Sequence, residues 1–164
     1  ANGLNIGYFH QHSADNFISE IITSDGLVTA LSFLQKKFPS KTEQDIRGEL
    51  TRFGLSPKLA GNNVRFLSGG ERTRLSMATM MLEDPQLLII DEISNHLDSE
   101  SVEALIYGLN KWNGTIIMTS HDTNLLRSVG DPNECYVLFD GMLRRIEGGI
   151  DKYLQIAFTT LKQR

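Results

Sequence analysis

Two short segments of the chain carry residues that could act on a phosphate group. Residues 67–71 read Leu-Ser-Gly-Gly-Glu, and residues 87–92 read Leu-Leu-Ile-Ile-Asp-Glu. The first segment opens a predicted helix with bare backbone, and the free N–H groups of a helix N-terminus favour an anion. The second is an apolar run that ends in two carboxylates, which suit a metal ion and an attacking water. Together they predict metal-assisted chemistry on a phosphate.

The helix start at residues 67–71 has both a structural and a functional interpretation. Ser68 and Glu71 have the spacing of a capping box, which explains these two residues without any ligand. Gly69 and Gly70 are not explained in this way, because each glycine in a first turn weakens a helix by roughly 1 kcal/mol relative to Ala. A missing Cβ lets another group approach the backbone closely. We therefore predict that the backbone at this helix start binds a phosphate.

Asp91 and Glu92 follow a strand that the apolar run predicts over residues 86–90, covered on both faces. In parallel sheets, functional sites lie outside the carboxyl ends of the strands. Asp91 offers the hard oxygen that Mg²⁺ requires. Glu92, one residue on, points in another direction and can orient or deprotonate a water. The alternative is a core strand followed by two loop acids.

Two further candidates follow other predicted strands. His121 comes after an apolar strand and is expected near the same sheet edge as the acids, where imidazole could contact a phosphate oxygen or position the water. Gln11 also ends a strand, although alone it would mean little. His10 and His12 flank Gln11, but two histidines without further ligands make a weak metal site.

The predicted secondary structure that positions these residues differs between the two halves of the chain. The first half is mostly helical, and the second alternates strand and helix, which is typical of a parallel α/β sheet. The periodicity predicts helices at 15–23, 26–38, 42–53, 68–82, 99–112, 122–129 and 150–161, and a loop at 55–66. It predicts a short strand at 6–9, buried strands at 86–90 and 115–119, and a hairpin of 136–139 with 143–146.

The composition excludes several classes of protein. The 164 residues are 40% hydrophobic and 22% charged, which suits one globular domain or a large piece of one. A net charge of −4 argues against a nucleic-acid-binding surface. No apolar run approaches the ~18 residues of a membrane span. The single Cys135 indicates a reducing cytosolic or nuclear setting, and we predict the cytoplasm. The N-terminus has no signal pattern, and the lack of an initiator Met suits an excised fragment or a tag remnant.

Taken together, the motifs resemble those of the ATP-binding-cassette (ABC) family over nearly the whole chain. Leu67–Glu71 resembles the signature motif, Leu87–Glu92 the Walker B strand with its catalytic Glu, Gln11 the Q-loop, Asn95–Asp98 the D-loop and His121 the switch histidine. The D-loop sequence Asn-His-Leu-Asp is characteristic of the ABC-F branch. The likeness is strongest to the second cassette of eukaryotic general-control-type ABC-F proteins. Without the resemblance, Asn95–Asp98 could also be a simple turn in which Asp98 caps the next helix.

The chain departs from the family pattern in two places. Ile93 stands where the family usually has Pro, which predicts a looser turn without loss of chemistry. No G-x-x-x-x-G-K-[ST] loop occurs in the chain, so the Walker A phosphate cradle is missing. We expect the missing Walker A strand to leave apolar faces and a strand edge exposed.

The resemblance implies one incomplete ABC domain, with a core strand and Q-loop at 1–12, a helical subdomain at 13–66, and the signature, Walker B, D-loop and switch region at 67–164. It implies a head-to-tail pair with a second cassette, and ATP with Mg²⁺ as ligands. Asp91 and Gln11 would hold the metal, and Glu92 and His121 would be catalytic.

The rest of the nucleotide-contacting set implied by the resemblance is Ser68, Gly69, Gly70, Glu71, Asn95 and Asp98. Three functions stay open. The first is an ATPase that acts on the ribosome and translation, and the second is the nucleotide-binding subunit of a membrane transporter. The third is an interaction fragment that is inactive alone.

Overall fold

The computed structural model describes residues 3–10, 13, 19, 21, 28–94 and 97–161, and of 158–161 the backbone alone. The chain divides into two compact units, Ala1–Thr119 and Ser120–Arg164. It combines helices with a parallel sheet, so the fold is α/β, as predicted. None of the described helices is long and apolar enough to cross a membrane.

Each helix of the first unit begins directly after a capping residue. These helices are α1 (Ala30–Lys37), α2 (Glu43–Arg52), α3 (Pro57–Ala60), α4 (Gly69–Leu82) and α5 (Ser99–Asn110). Each follows a residue whose side-chain oxygen accepts a hydrogen bond from a backbone N–H of the first turn. These capping residues are Thr29, Thr42, Ser56, Ser68 and Asp98. Helix α2 ends before Gly54, whose φ of 73° is the left-handed conformation typical of a helix C-terminus.

The sheet of the first unit brings three strand ends to one edge. Strands β1 (Ile6–His10), β2 (Leu87–Asp91) and β3 (Thr115–Thr119) are parallel and lie in that order. The register pairs His10 with Asp91 and Asp91 with Thr119. The predicted strands are therefore confirmed to within one residue, and the carboxyl end of β2 carries Asp91 as expected.

The two faces of this sheet are covered unequally. One face is buried, and Phe9, Leu88 and Ile90 on it are at most 1% exposed. Helix α4 packs on this side, since a Cβ added to Gly7 would lie 2.7 Å from Met80 Sδ. The other face is open within the described residues. Its exposed apolar side chains are Ile6 (49%), Tyr8 (54%) and Ile117 (57%).

The predicted burial of the strands is therefore wrong for one face. An apolar run was expected to be covered on both sides, and 115–119 was expected to be buried, but no described element covers the face that carries Ile117. The expected exposure of an apolar face and a strand edge agrees with the structure, since the described residues pair β3 with β2 alone.

The hydrophobic core of the first unit lies between its helices and the closed face of the sheet. Helices α2, α4 and α5 pack against one another. The largest fully buried side chains in this core are Phe9, Ile21, Leu34, Ile46, Leu50, Phe53, Leu55, Leu75, Met77, Leu88, Ile90 and Leu105.

The second unit contains α6 (Thr123–Val129), a 3₁₀ turn (Pro132–Glu134), the hairpin strands β4 (Tyr136–Phe139) and β5 (Met142–Arg145), and α7 (Gly149–Leu161). Asp140 and Gly141 both have positive φ, as a tight hairpin turn requires. Arg127 of α6 donates a hydrogen bond from its Nε to Asp151 Oδ1 of α7 at 3.0 Å. This hydrogen bond lowers the pKa of the Asp151 carboxyl.

Two predicted segments differ from the structure. The helix predicted at 26–38 begins only at Ala30, because the Val28 carbonyl accepts a hydrogen bond from Val64 N–H and Thr29 bridges to Asn63. The loop predicted at 55–66 contains α3 and a 3₁₀ turn at Val64–Phe66. Most of the helix predicted at 15–23 lies outside the described residues.

Candidate functional site

Asp91 lies on the open face of the sheet, at its carboxyl edge. The alternation of β2 puts Leu87, Ile89 and Asp91 on the face opposite the buried Leu88 and Ile90. The Thr119 hydroxyl of the neighbouring strand donates a hydrogen bond to Asp91 Oδ1. The carboxylate is thus half-buried, held from one side and accessible from the open face.

Glu92 sits where the backbone turns away from the sheet. Its φ of 51° is left-handed, which is uncommon for a residue other than glycine and marks a sharp turn. The Glu92 N–H donates to the Thr119 carbonyl at 3.1 Å, so the β2–β3 ladder continues up to this turn. The expectation that Glu92 points in another direction than Asp91 stays a prediction.

Ile93 occupies the position where the family usually has Pro. Its side chain is only 5% exposed, and Ser94 after it is 9% exposed. The apolar side chain is therefore part of the core, and burial restrains this turn. Whether the turn is looser than with Pro stays a prediction.

The signature helix has the capping box that the sequence predicts. Ser68 N–H donates to Glu71 Oε2 at 2.7 Å, and Glu71 N–H donates to Ser68 Oγ at 3.2 Å. Arg72 secures the preceding loop, because its Nε donates to the Leu67 carbonyl at 2.9 Å and its Nη2 to the Arg65 carbonyl at 3.2 Å. The N-terminus of α4 is thus held in place by this chain's own residues.

Gly69 and Gly70 face different surroundings. A Cβ added to Gly69 would meet nothing within 4 Å, so its backbone is open to an approaching group. A Cβ added to Gly70 would lie 2.2 Å from Ser101 Oγ of α5. The missing side chain of Gly70 is therefore explained by packing inside the chain, which sequence reasoning did not anticipate.

Asp98 caps the helix that packs beneath the signature. Its Oδ1 accepts a hydrogen bond from Ser101 N–H at 2.8 Å. This backbone hydrogen bond lowers the pKa of the Asp98 carboxyl below its ordinary value. The N-termini of α4 and α5 meet here, since a Cβ on Gly70 would also lie 3.6 Å from Asp98 Oδ2. The predicted cap is confirmed, and the D-loop ends beside the signature.

The predicted roles of three other site residues stay predictions. Gln11 and Asn95 lie outside the described residues. His121 belongs to the second unit, where it precedes Asp122, the cap of α6. The expected approach of His121 to Asp91 therefore stays a prediction.

Sequence reasoning missed Thr119 and Ser101. The register of equal-length parallel strands could have found Thr119, because it ends β3 as Asp91 ends β2. Ser101 has no comparable signal, since its contact with Gly70 joins two helices that are distant in sequence.

The residues at the strand end suit Mg²⁺ only in company with other ligands. Asp91 offers a carboxylate oxygen at an accessible edge. No group of three or more His, Cys, Asp or Glu side chains that could hold a metal occurs in the described part of the chain. Mg²⁺ is held by a carboxylate together with substrate phosphates in many nucleotide sites. The arrangement fits a metal that arrives with a nucleotide.

Comparison with known proteins identifies the class to which this fold and these motifs belong. A family model described as "ABC transporter" matches residues 2–95, more than half of the chain. The chain therefore belongs to the ABC family, whose ATPases bind ATP, typically with Mg²⁺, and whose cassettes work in pairs.

Within this family the chain is similar to sub-family F proteins. It is 39% identical to "ATP-binding cassette sub-family F member 3" of Rattus norvegicus over 150 residues, which are 92% of this chain and 20% of the relative. It is 37% identical to "Protein GCN20" of Saccharomyces cerevisiae over 150 residues, which are 92% of this chain and 19% of that protein. The chain spans about a fifth of the length of these relatives.

Solved structures show the same fold. The dimeric bacterial ABC transporter cassette MJ0796 matches with a TM-score of 0.57 and 22% identity, over 76% of this chain and 56% of that chain. The cassette cbiO1 from Clostridium perfringens, part of the transporter complex cbiONQ, matches with a TM-score of 0.63 and 21% identity, over 97% and 62% of the two chains. At such identities the likeness concerns the fold alone.

Proposed function

We infer that this chain is part of an ABC-F cassette that binds and hydrolyses ATP in a cassette pair acting on the ribosome. The observation that carries this proposal is the pair Asp91 and Glu92 at the carboxyl edge of a parallel sheet, beside an open face. The capped N-terminus at Ser68, with Gly69 open to solvent, adds a second phosphate-binding surface. In this reading, 1–12, 13–66 and 67–164 are parts of one incomplete cassette.

The acids would divide the work of hydrolysis. Asp91, with Gln11, would hold Mg²⁺, which neutralises charge on the phosphates when bound. Glu92, at its left-handed turn directly after the metal ligand, would orient and polarise the attacking water. His121 would steady that water or a phosphate oxygen. Phosphoryl transfer depends mainly on such positioning and electrostatics.

The signature would serve the nucleotide of the facing cassette. Ser68, Gly69 and Gly70 would face that nucleotide, and the backbone N–H groups of Gly69 and Gly70, together with the positive end of the helix dipole, suit a γ-phosphate. Glu71 keeps Ser68 in place through the capping box. The D-loop residues Asn95 and Asp98 would lie at the same junction between cassettes. ATP would close the pair, and hydrolysis would release it.

The 164 residues alone should neither hold MgATP tightly nor hydrolyse it. They contain no Walker A loop, so the phosphate cradle has to come from residues outside this sequence. The open apolar sheet face supports this view, since it offers a surface for further chain to cover. ATP turnover by the purified 164-residue chain that Glu92→Gln abolishes would contradict this proposal.

The translation role is supported by the likeness to sub-family F proteins and by the D-loop sequence at 95–98. It implies a cytoplasmic protein. The acidic net charge of −4 means that contacts with ribosomal RNA would come from other segments. A transporter subunit is the alternative, favoured by the match to the family model described as "ABC transporter". Stable co-purification with a membrane-spanning partner would support that alternative.

The test is ribosome co-sedimentation of the full-length protein with Glu92→Gln, with and without ATP. We expect turnover to fall by at least about 100-fold, because Glu92 is the general base, and we expect ATP to trap the variant on ribosomes. Glu103→Gln on the exposed side of α5 is the matched control. Near-normal turnover of Glu92→Gln would overturn the role of Glu92. A variant that binds ATP but ignores ribosomes would overturn the translation role.

A further inference from the structure

We propose that Thr119 is a positioning residue that fixes both acids of the candidate site, an inference that rests on the proposed ATPase function. Thr119 is the register partner of Asp91 across the β2–β3 ladder. Its hydroxyl donates to Asp91 Oδ1 at 2.5 Å, and its carbonyl accepts the Glu92 N–H at 3.1 Å. One residue of the neighbouring strand thus contacts the metal-binding acid through its side chain and the water-orienting acid through its backbone.

The side-chain hydrogen bond holds one carboxylate oxygen of Asp91 and leaves the other for a metal. The Thr119 hydroxyl engages Oδ1, so Oδ2 has no contact with Thr119 and keeps its lone pairs for a cation. A ligand that is itself hydrogen-bonded is held in one orientation, and its affinity for the metal is correspondingly higher. Thr119 would therefore set the rotamer of Asp91 before any nucleotide arrives.

The backbone hydrogen bond sets the position of Glu92. The residue has a φ of 51°, a conformation that a side-chain-bearing residue adopts only where its surroundings impose it. The bond from Glu92 N–H to the Thr119 carbonyl is made directly at this turn. Any shift of β3 would move both acids together, so Thr119 couples their positions.

A purely structural explanation is that threonine is a good strand former on an exposed edge. Thr115 provides the internal comparison, since it lies four residues earlier on the same face of the same strand. Within the described residues the Thr115 hydroxyl makes no hydrogen bond, whereas the Thr119 hydroxyl reaches Asp91. If strand propensity were the only role, valine would serve equally well at both positions.

The experiment uses the full-length protein with Thr119→Val, Thr119→Ser and Thr115→Val. We measure the dissociation constant for Mn²⁺ with ATP by electron paramagnetic resonance, the kcat for ATP, and thermal melting. We expect Thr119→Val to weaken Mn²⁺ binding and lower kcat by about tenfold, the usual effect of losing a partner of a metal ligand. We expect its melting temperature to stay unchanged, because valine also favours a strand.

Thr119→Ser should restore Mn²⁺ affinity because it keeps the hydroxyl, and Thr115→Val should match the wild-type protein in every measurement. The proposal is overturned if Thr119→Val binds Mn²⁺ as tightly as wild type, or if Thr119→Ser is as defective as Thr119→Val. Glu92→Gln separates a failure of the proposed ATPase function from a failure of the positioning role of Thr119. If that variant loses turnover while Thr119→Val keeps its Mn²⁺ affinity, the ATPase function stands and only the role of Thr119 fails.

Discussion

The sheet and the signature helix each have positions packed within the chain, here called the inner layer, and positions open to the outside, here called the outer layer. The outer layers of the two regions differ in chemistry. In the sheet the inner layer holds Leu88, and the outer layer exposes the large apolar side chain of Ile117. In the helix the inner position is Gly70, packed on Ser101, and the outer position is the bare backbone of Gly69. A large apolar surface suits another protein element, whereas a bare helix N-terminus suits an anion.

The inner layers are therefore set by packing within this chain, and the outer layers by what approaches from outside. This division makes a testable claim about each position. Substitutions in an inner layer should lower the free energy of unfolding of the 164-residue chain, and matched substitutions in an outer layer should not.

The sheet should show the largest difference. Leu88→Ala removes a fully buried side chain, and we expect it to lower the free energy of unfolding by about 3 kcal/mol. Ile117→Thr, on the open face of the neighbouring strand, should change it by less than about 0.5 kcal/mol. Urea denaturation followed by circular dichroism measures both. Equal losses from the two substitutions would mean that the outer face is covered in solution, for example by a second copy of the chain.

The two glycines should show the next largest difference. Gly70→Ala places a methyl group against the buried Ser101, and we expect overpacking to lower the free energy of unfolding by about 1–3 kcal/mol. Gly69→Ala meets open space, and the better helix propensity of alanine should stabilise the chain by up to about 1 kcal/mol. Thermal melting of the two variants makes the comparison.

The double variant Gly70→Ala with Ser101→Ala identifies the cause of the Gly70 effect. Removal of Ser101 Oγ, the atom closest to the added methyl group, should restore part of the lost stability. In the full-length protein, Gly69→Ala should impair ATP turnover although it does not destabilise the chain. A Gly69→Ala variant that melts earlier than Gly70→Ala would contradict the distinction between inner and outer glycine.

The sequence predicts the helix starts and the strand ends well, because both depend on local chemistry. The caps at Ser68 and Asp98 and the end of β2 at Asp91 follow from residue types a few positions apart. The loop at 55–66 also had a local signal that was overlooked, since Ser56-Pro57 is a good helix start.

Other features depend on contacts between distant residues. Helix α1 begins late because residues 28 and 29 bond to residues 63 and 64. The burial of β3 was overestimated because an apolar strand indicates that a covering element is preferred, without showing that one is present. The roles of Gly70 and Thr119 likewise depend on which elements become neighbours, and hydrophobic periodicity does not contain that information.

The smallest expected effect concerns the cap beneath the signature. The pKa of Asp98 in the folded chain is held below its ordinary value of 3.8, chiefly by the hydrogen bond from Ser101 N–H. A carboxyl whose pKa is lowered by folding stabilises the folded state above its unfolded pKa, and this contribution is lost as the pH falls through the folded pKa. The Asp98 carboxylate should therefore stabilise the folded chain, where α4 and α5 meet, at neutral pH. It should lose this contribution below about pH 4.

Asp98→Asn isolates that contribution, because asparagine is also a good N-cap but does not titrate. We expect the variant and the wild-type chain to melt at similar temperatures at pH 7, and the wild-type chain to lose more stability than the variant between pH 4 and pH 3. Asp45 and Asp151, whose pKa values are also lowered, titrate in both proteins and cancel in the comparison. If the melting temperatures of the two proteins fall equally between pH 4 and pH 3, the charge of the Asp98 cap does not stabilise the contact between α4 and α5. That contact would then depend on the packing of Gly70 alone.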